Sequence, residues 1–301
     1  MEFFKQSEIE TLRKAIISAN NKSSIPLPPE NTAYEIANTY NFLFEECGEK
    51  KVTKLSAKSE QVYIKLMALR YGLFSIIIPR DQGPDYFLLS SLFTQISNTI
   101  VAITELVNSG FDYQAFSLMR NLMELFMTLL TVIESPKKRT EFRQATDAEK
   151  SRKVWHQFFN KKHFIEMLDS YNKHNSEFRK AYTQWVDSTY AELSSFAHND
   201  YMYLICYNFA IGENELNPTN LWGEYVSRRD IAYQRLLEII APADILINSM
   251  LRDDNIDFSL DDFYKHIEDP AALIGSKHIQ VAISKVCLSI LMDNIREKSC
   301  D

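Results

Sequence analysis

The sequence predicts an all-α protein: an antiparallel helical bundle with helical extensions at both ends. Two observations carry this. Apolar residues recur at spacings of three and four nearly everywhere along the 301 residues, and only seven Gly and nine Pro are present, too few for the many tight turns of a β-sandwich or barrel. The connections between periodic segments are also short, as in antiparallel bundles.

The first helix is expected over about Ser7–Ala19, ending at the turn-rich Asn20–Pro29, where Pro26, Pro28 and Pro29 break regular structure. The second runs from about Thr32 to Glu46. The third follows the polar Ser56–Ser59 cluster and carries Val62, Leu66, Leu69, Leu73 and Ile76 at helical spacing up to Pro79; Ile76–Pro79 can also be read as a short strand, though no partner strand follows. The fourth spans Pro84–Asn108, with Pro84 suited to a first turn and Gly110 to a C-terminal cap. The fifth, Tyr113–Glu134, stops at Ser135-Pro136. One or two helices then reach His174, and a long helix covers Ser176–Asn208 before a Gly212–Pro218 loop. The last two are Asn220–Leu251, with Pro242 expected to kink it, and Ala271–Arg296 after the acidic Asp253–Asp262 linker. This divides the chain into an N-terminal extension (1–55), a core bundle (56–253) and a C-terminal extension (254–301).

Composition bounds the function. Apolar residues make up 46% and charged residues 24%, ordinary values for a globular chain. The net charge of −7 disfavours binding nucleic acid through bulk charge. Residues 137–163 are the exception: nine basic side chains stand there against three acidic ones, Glu141, Asp147 and Glu149. They read either as a solvated helix face with i,i+4 partners or as a site for RNA or a nucleotide, with Trp155, Phe158 and Phe159 interleaved to stack bases. Cys47, Cys206, Cys287 and Cys300 form no C-x-x-C pair and suggest neither a disulfide framework nor structural zinc. The N-terminal MEFFKQSEIE does not read as a signal peptide. The longest apolar stretch, Leu118–Ile133, contains Arg120 and Glu124 and is too short and too charged for a membrane anchor. No membrane association and a cytoplasmic location are therefore expected.

No phosphate-binding or dinucleotide glycine loop, no G-x-S-x-G and no H-E-x-x-H is present, and no His has a Glu three residues before it. Neither a cofactor nor a metal is expected. His156 and His163, seven apart, could share a ligand but lack a third donor. The Asp253–Asp262 stretch lacks the central Gly and terminal Glu of a calcium loop.

The informative segment is DYQAFSLMRNLMELFMTLLTVIES. At about 100° per residue, Gln114, Ser117, Arg120, Asn121, Glu124, Thr128 and Thr131 fall within one arc of about 120°, with apolar side chains elsewhere. Met119, Met123 and Met127 read as core. Arg120 and Glu124, at i,i+4, can pair. The arc can be a thin solvent edge, a buried ion pair fixing register, or the lining of a pocket for an anion, for which the planar guanidinium is suited. On the long helix, His198 lies near Asp187, Ala191, Ser194, Ser195 and Met202, a mostly small-residue face. It reads as a structural hydrogen-bonder or as a general base.

The run Gly110-Phe-Asp-Tyr-Gln-Ala, continued by Met119-Arg120-Asn121-Leu-Met-Glu124, and the later Leu193-Ser194-Ser-Phe-Ala-His198-Asn199 resemble a family of uncharacterised bacterial all-α proteins. Its recurring motifs are Arg-x-x-x-Glu and Ser-x-x-x-His, and the resemblance covers about residues 56–250. That family resembles in turn the HEPN superfamily, many of whose members are metal-independent endoribonucleases of toxin and phage-defence systems, usually dimers with a composite site. HEPN ribonucleases carry on one helix an Arg, then four to six intervening residues, then a His. None of the six histidines here has Arg at that offset; Arg152 and His156 are one residue short.

The resemblance thus implies a site assembled across helices, with Arg120, Glu124 and His198 as candidate catalytic residues and Asn121, Ser194 and Asn199 as candidate ligand-binding residues. His198 would take the proton of a ribose 2′-hydroxyl, Arg120 would stabilise phosphate charge, and Glu124 would orient Arg120. Arg120 and His198 must then lie within about 8 Å of each other to share one phosphate. A homodimer is expected. The alternative is a non-catalytic interaction module that binds a protein partner or a small anionic ligand.

Overall fold

In a computed structural model, the structure describes residues 6–20, 29–45, 59–77, 83–109, 111–171, 176–198, 209–211, 216–218, 229–251, 282–287 and 289. The described helices are α1 (Gln6–Asn20), α2 (Pro29–Glu45), α3 (Ser59–Ile77), α4 (Pro84–Asn108), α5 (Asp112–Glu134), α6 (Pro136–Gln144), α7 (Ala148–Val154), α8 (Lys161–Tyr171), α9 (Ser176–Ala197) and α10 (Arg229–Met250). A π-helical turn, Trp155–Phe159, links α7 to the residues before α8, and residues 282–287 are also helical.

The architecture is the expected all-α bundle with one correction. The long helix predicted over Ser176–Asn208 is described as helical only to Ala197. Residues 209–211 and 216–218 then form a two-stranded antiparallel hairpin, β1 (Phe209–Ile211) and β2 (Leu216–Pro218), in which Ala210 pairs with Asn217. Residues 199–208 lie outside the described residues, and strands of three residues, Phe-Ala-Ile and Leu-Asn-Pro, are too short for periodicity to mark. Ile76 and Ile77 are helical, against the strand reading for these two residues, while Ile78 and Pro79 lie outside the described residues. Gly110, Cys47, Cys206, Cys300, Asp253–Asp262 and both extension boundaries lie outside the described residues.

Local chemistry sets the helix starts. Gly83 has φ 96°, a conformation open to glycine, and is followed by Pro84 in the first turn of α4. The Ser135 side chain accepts from the Lys138 N–H to cap α6, and Asp147 accepts from Lys150 to cap α7 at 2.8 Å.

α5 is the hub. It packs against α4, α9 and α10, and its buried face includes Phe116, Met119, Leu122, Met123, Phe126 and Leu130. α4 and α5 are each long and apolar enough to cross a bilayer by length and composition. About half (50%) and two-thirds (67%) of their most apolar windows are buried inside the bundle, as core helices require. The core continues into Leu12, Ile16, Ala33 and Ile36 of α1 and α2 and into Ile283 and Val286 near the C-terminus.

Proline 242 sits inside α10, and the helix continues through it. A proline cannot donate to the carbonyl four residues back, here Glu238. α9 supplies the missing donor, since the Trp185 indole N–H bonds Glu238 O at 2.9 Å, and Tyr182 O–H donates to Pro242 O at 3.1 Å.

A buried ion pair joins α3 to α10. Arg70 meets both Asp244 carboxylate oxygens, at 2.9 and 2.8 Å, and also donates to Asn248. Tyr71 O–H and the Asn248 amide donate to the same carboxylate. Burial pushes the nearby Tyr63 and Tyr71 phenols and the Cys287 thiol well above their ordinary ranges, and the Asp244 charge adds to this. Breaking such a pair leaves an uncompensated charge in the core. Arg70→Ala should lower unfolding stability by about 3–5 kcal/mol, and Arg70→Met with Asp244→Leu should recover most of the loss, both read by chemical denaturation.

Candidate functional site

The site forms where the polar arc of α5 meets the C-terminal turns of α9. The last carbonyls of any helix lack intrahelical donors. On α9 the Phe196 carbonyl is served from α5: Tyr113 O–H donates to it at 3.0 Å and Ser117 O–H at 3.4 Å. The Phe196 ring stacks on Phe116 at 4.4 Å with an interplanar angle of 11°, and it also meets Tyr113. This locks the end of α9 in rotation and in height. His198, two residues on, closes the last turn through its N–H to the Ser194 carbonyl at 2.9 Å and projects its exposed imidazole beside Arg120.

Arg120 Nη1 lies 3.2 Å from His198 Nε2, well inside the distance the sequence reading required. A guanidinium has no acceptor atom, so Nε2 must accept. As a hydrogen bond, this contact requires an imidazole with its proton on Nδ1 alone. Arg120 Nη2 donates to the Tyr190 phenol at 3.0 Å, and that phenol donates to Glu124 Oε1 at 2.9 Å. Glu124 also pairs with Arg120 Nη2 at 3.3 Å. The guanidinium lies over the Tyr190 ring, 5.1 Å from its centroid, and Lys161 Nζ is 6.0 Å from the same centroid. Partial burial and the Glu124 charge raise the Tyr190 phenol above its ordinary range against the opposing pull of Arg120, so it remains a proton donor at neutral pH.

The structure therefore brings Arg120, Glu124 and His198 together. Ser194 lies one turn before His198, and its hydroxyl is committed to the Tyr190 carbonyl at 2.6 Å. Asn121 is exposed on α5 beside Arg120, and Asn199 lies outside the described residues. The α5 arc grades along its length. Gln114 and Asn121 face solvent, Arg120 and Glu124 are about a fifth to a quarter exposed (21% and 25%), and Thr128 and Thr131 are buried. Tyr190 is the residue the sequence reading missed. It precedes His198 by two helical turns, and an aromatic at the rim of an apolar face reads as packing.

The basic segment departs from the expected nucleic-acid surface. Phe159 is fully buried, packed against Phe142 and stacked with Trp155, and Phe158 and Trp155 lean on the core, so these rings are poorly placed to stack bases. Arg139 is buried and bonds Asp85 and the Val132 carbonyl, while Arg143 pairs with the same Asp85. Lys150, Lys153 and Lys161 pair with Asp147, Glu149 and Asp187. Lys137 and Arg152 are exposed. His156 and His163 do not converge on a metal: the π-helical turn and Asn160 separate them, and His163 Nδ1 meets Glu166 at 2.7 Å. Among the described residues no group of three His, Cys, Asp or Glu side chains could hold a metal ion.

Fold and site together define an all-α bundle with a polar Arg–Tyr–Glu–His cluster held between two of its helices. Over residues 86–212 the chain is similar to a family of unknown function, DUF5677. That span contains all four residues of the cluster and excludes Arg70 and Asp244. No curated protein and no solved structure matches the chain.

Tyr113→Phe removes the shorter of the two bonds to the Phe196 carbonyl. It should cost about 1 kcal/mol in unfolding stability and speed amide exchange in the last turn of α9. Ser117→Ala, which removes the longer 3.4 Å contact to Phe196 O and a 3.3 Å contact within α5 to Tyr113 O, should cost less in the same two measurements.

Proposed function

We propose that this protein is a metal-independent endoribonuclease of HEPN-like kind whose site is assembled from two helices rather than one. The observation that carries the reading is the Arg120–His198 contact: a guanidinium and an imidazole nitrogen 3.2 Å apart at the partly open edge of the bundle. In this reading His198 Nε2 takes the proton from a ribose 2′-hydroxyl. The 2′-oxygen bonds to phosphorus, the bond from phosphorus to the 5′-oxygen breaks, and the leaving oxygen is protonated from solvent. Arg120 stabilises the charge on the phosphoryl oxygens, and Glu124 orients Arg120. The products are a 2′,3′-cyclic phosphate and a 5′-hydroxyl. The exposed cations Lys137 and Arg152 are the part of the basic segment best placed to meet an RNA backbone. A cytoplasmic homodimer is part of the same proposal.

The second reading, a non-catalytic module, is favoured by one observation: the guanidinium is already engaged by Glu124, Tyr190 and His198, a set able to fix helix register without any ligand.

The two separate in one assay. Purified protein should cut mixed oligoribonucleotides in the presence of EDTA, leave oligodeoxyribonucleotides of the same sequence intact, and yield cyclic phosphate ends. Arg120→Ala and His198→Ala should each lower the rate by about 100-fold or more. Intact RNA in every condition, or undiminished cutting by both variants, overturns the ribonuclease reading.

A further inference from the structure

We propose that Tyr190 is a positioning residue whose phenol turns the Arg120 guanidinium toward α9 and so holds His198 in the tautomer that leaves Nε2 unprotonated. The inference deepens the ribonuclease reading, but its first test does not require that reading to hold.

The argument is geometric. Arg120 and Glu124 are one turn apart on α5, so their pair alone would draw the guanidinium along the α5 face. Tyr190 reaches it from α9, the helix whose end carries His198, and pulls it across the gap between the helices. The phenol does this through two bonds at once, accepting from Arg120 Nη2 and donating to Glu124 Oε1. The ring beneath the guanidinium sets its plane. With Nη2 held in this way, Nη1 faces His198 Nε2. A guanidinium N–H pointed at Nε2 is compatible only with an imidazole that carries its proton on Nδ1. Free imidazole side chains favour the opposite tautomer, so the preference at His198 is imposed by its surroundings and is measurable.

The orientation also matters for the proposed chemistry. A phosphate arriving beside Nη1 offers the guanidinium an anionic acceptor in place of a neutral nitrogen, which is the stronger bond. Arg120 then swings Nη1 from His198 to the phosphate while Nη2 stays anchored on Tyr190, and the Nε2 lone pair is released next to the substrate. An arginine without that anchor has no fixed pivot.

The test is Tyr190→Phe in the full-length protein, which keeps the ring and the Arg120–Glu124 pair and removes only the phenol. Two-bond proton–nitrogen spectra of protein labelled with 15N in histidine, recorded at about pH 8.5 where imidazoles are neutral, give the tautomer; His198→Gln identifies the signal. In the wild type the His198 Nε2 should resonate as an unprotonated, pyridine-like nitrogen. In Tyr190→Phe the signal should move to the Nε2–H form. Glu124→Gln, which retains an acceptor for the phenol, should keep the wild-type pattern. A wild-type His198 already protonated on Nε2, or an unchanged pattern in Tyr190→Phe, overturns the proposal. The kinetic arm separates it from the reading on which it rests. If Arg120→Ala and His198→Ala abolish RNA cleavage, Tyr190→Phe should lower kcat by about 10- to 100-fold with KM within about twofold. Full kcat in Tyr190→Phe overturns the positioning role and leaves the ribonuclease reading standing. A wild type that cuts no RNA removes that reading and leaves the tautomer measurement to decide the rest.

Discussion

The carbonyl of Phe196 is the point on which the site turns. A helix must end with unsatisfied acceptors, and those acceptors must find donors wherever water is excluded. Here two hydroxyls of α5 provide them. The α9 terminus is thereby registered against the one arc of α5 that carries polar groups, and the Phe116–Phe196 stack keeps it from sliding. The position of His198 is a consequence of how its helix is capped. The separation of seventy-eight positions between Arg120 and His198 matters little, because the two helices that bear them pack together.

Comparison of the two arginine clusters shows how environment divides one chemistry into two uses. Arg70 and Asp244 form a bidentate pair with the lone pairs of the carboxylate taken up by Tyr71 and Asn248, and both residues are nine-tenths or more buried. Every donor there that meets the carboxylate comes from a packed element, and the cluster joins α3 to α10. Arg120 and Glu124 use the same functional groups, yet remain about a fifth to a quarter exposed, and the third partner is an exposed imidazole in place of a second carboxylate oxygen. In water-accessible surroundings an isolated pair of this kind contributes about 0–1 kcal/mol to stability. Holding the folded state together is thus a role that Arg70 fills and Arg120 does not need to fill.

Much of this was legible in the sequence. The narrow polar arc on an otherwise apolar helix marked α5 as a core helix with one special edge, and Arg120 and Glu124 stood out on it as the only charges. The small residues around His198 marked a place where another helix could approach. What the sequence lacked was any local spacing linking the two halves, since the pairing is tertiary and depends on the Phe196 cap. Tyr190 was invisible for the same reason: only its partners on α5 distinguish a bridging phenol from a packing ring. The end of α9 was placed too late because no Gly or Pro marks a stop at Ala197, and the hairpin was missed because strands of three residues are too short to show an alternating pattern. Of the two readings of 137–163, the pairs of Lys150 with Asp147 and Lys153 with Glu149 fit the solvated helix face, while the burial of Phe159 in the π-helical turn is not something a regular 100° step anticipates.

The resting geometry also constrains what chemistry this site can support on the proposed reading. Arg120 covers the lone pair that His198 would use as a base, so the site as it stands is self-blocked. A neutral substrate gives the guanidinium no reason to leave, because its bond to the imidazole would be exchanged for another bond to an uncharged acceptor. A phosphodiester does, because an anionic oxygen is a stronger acceptor for the guanidinium than the uncharged imidazole nitrogen. One encounter then places the cation on the phosphate and uncovers the base beside it. On the proposed reading, the substrate would be an anion that carries its own acidic hydroxyl within reach. The phosphodiester of RNA, with a 2′-hydroxyl adjacent to each phosphate, meets that description, and the phosphodiester of DNA does not.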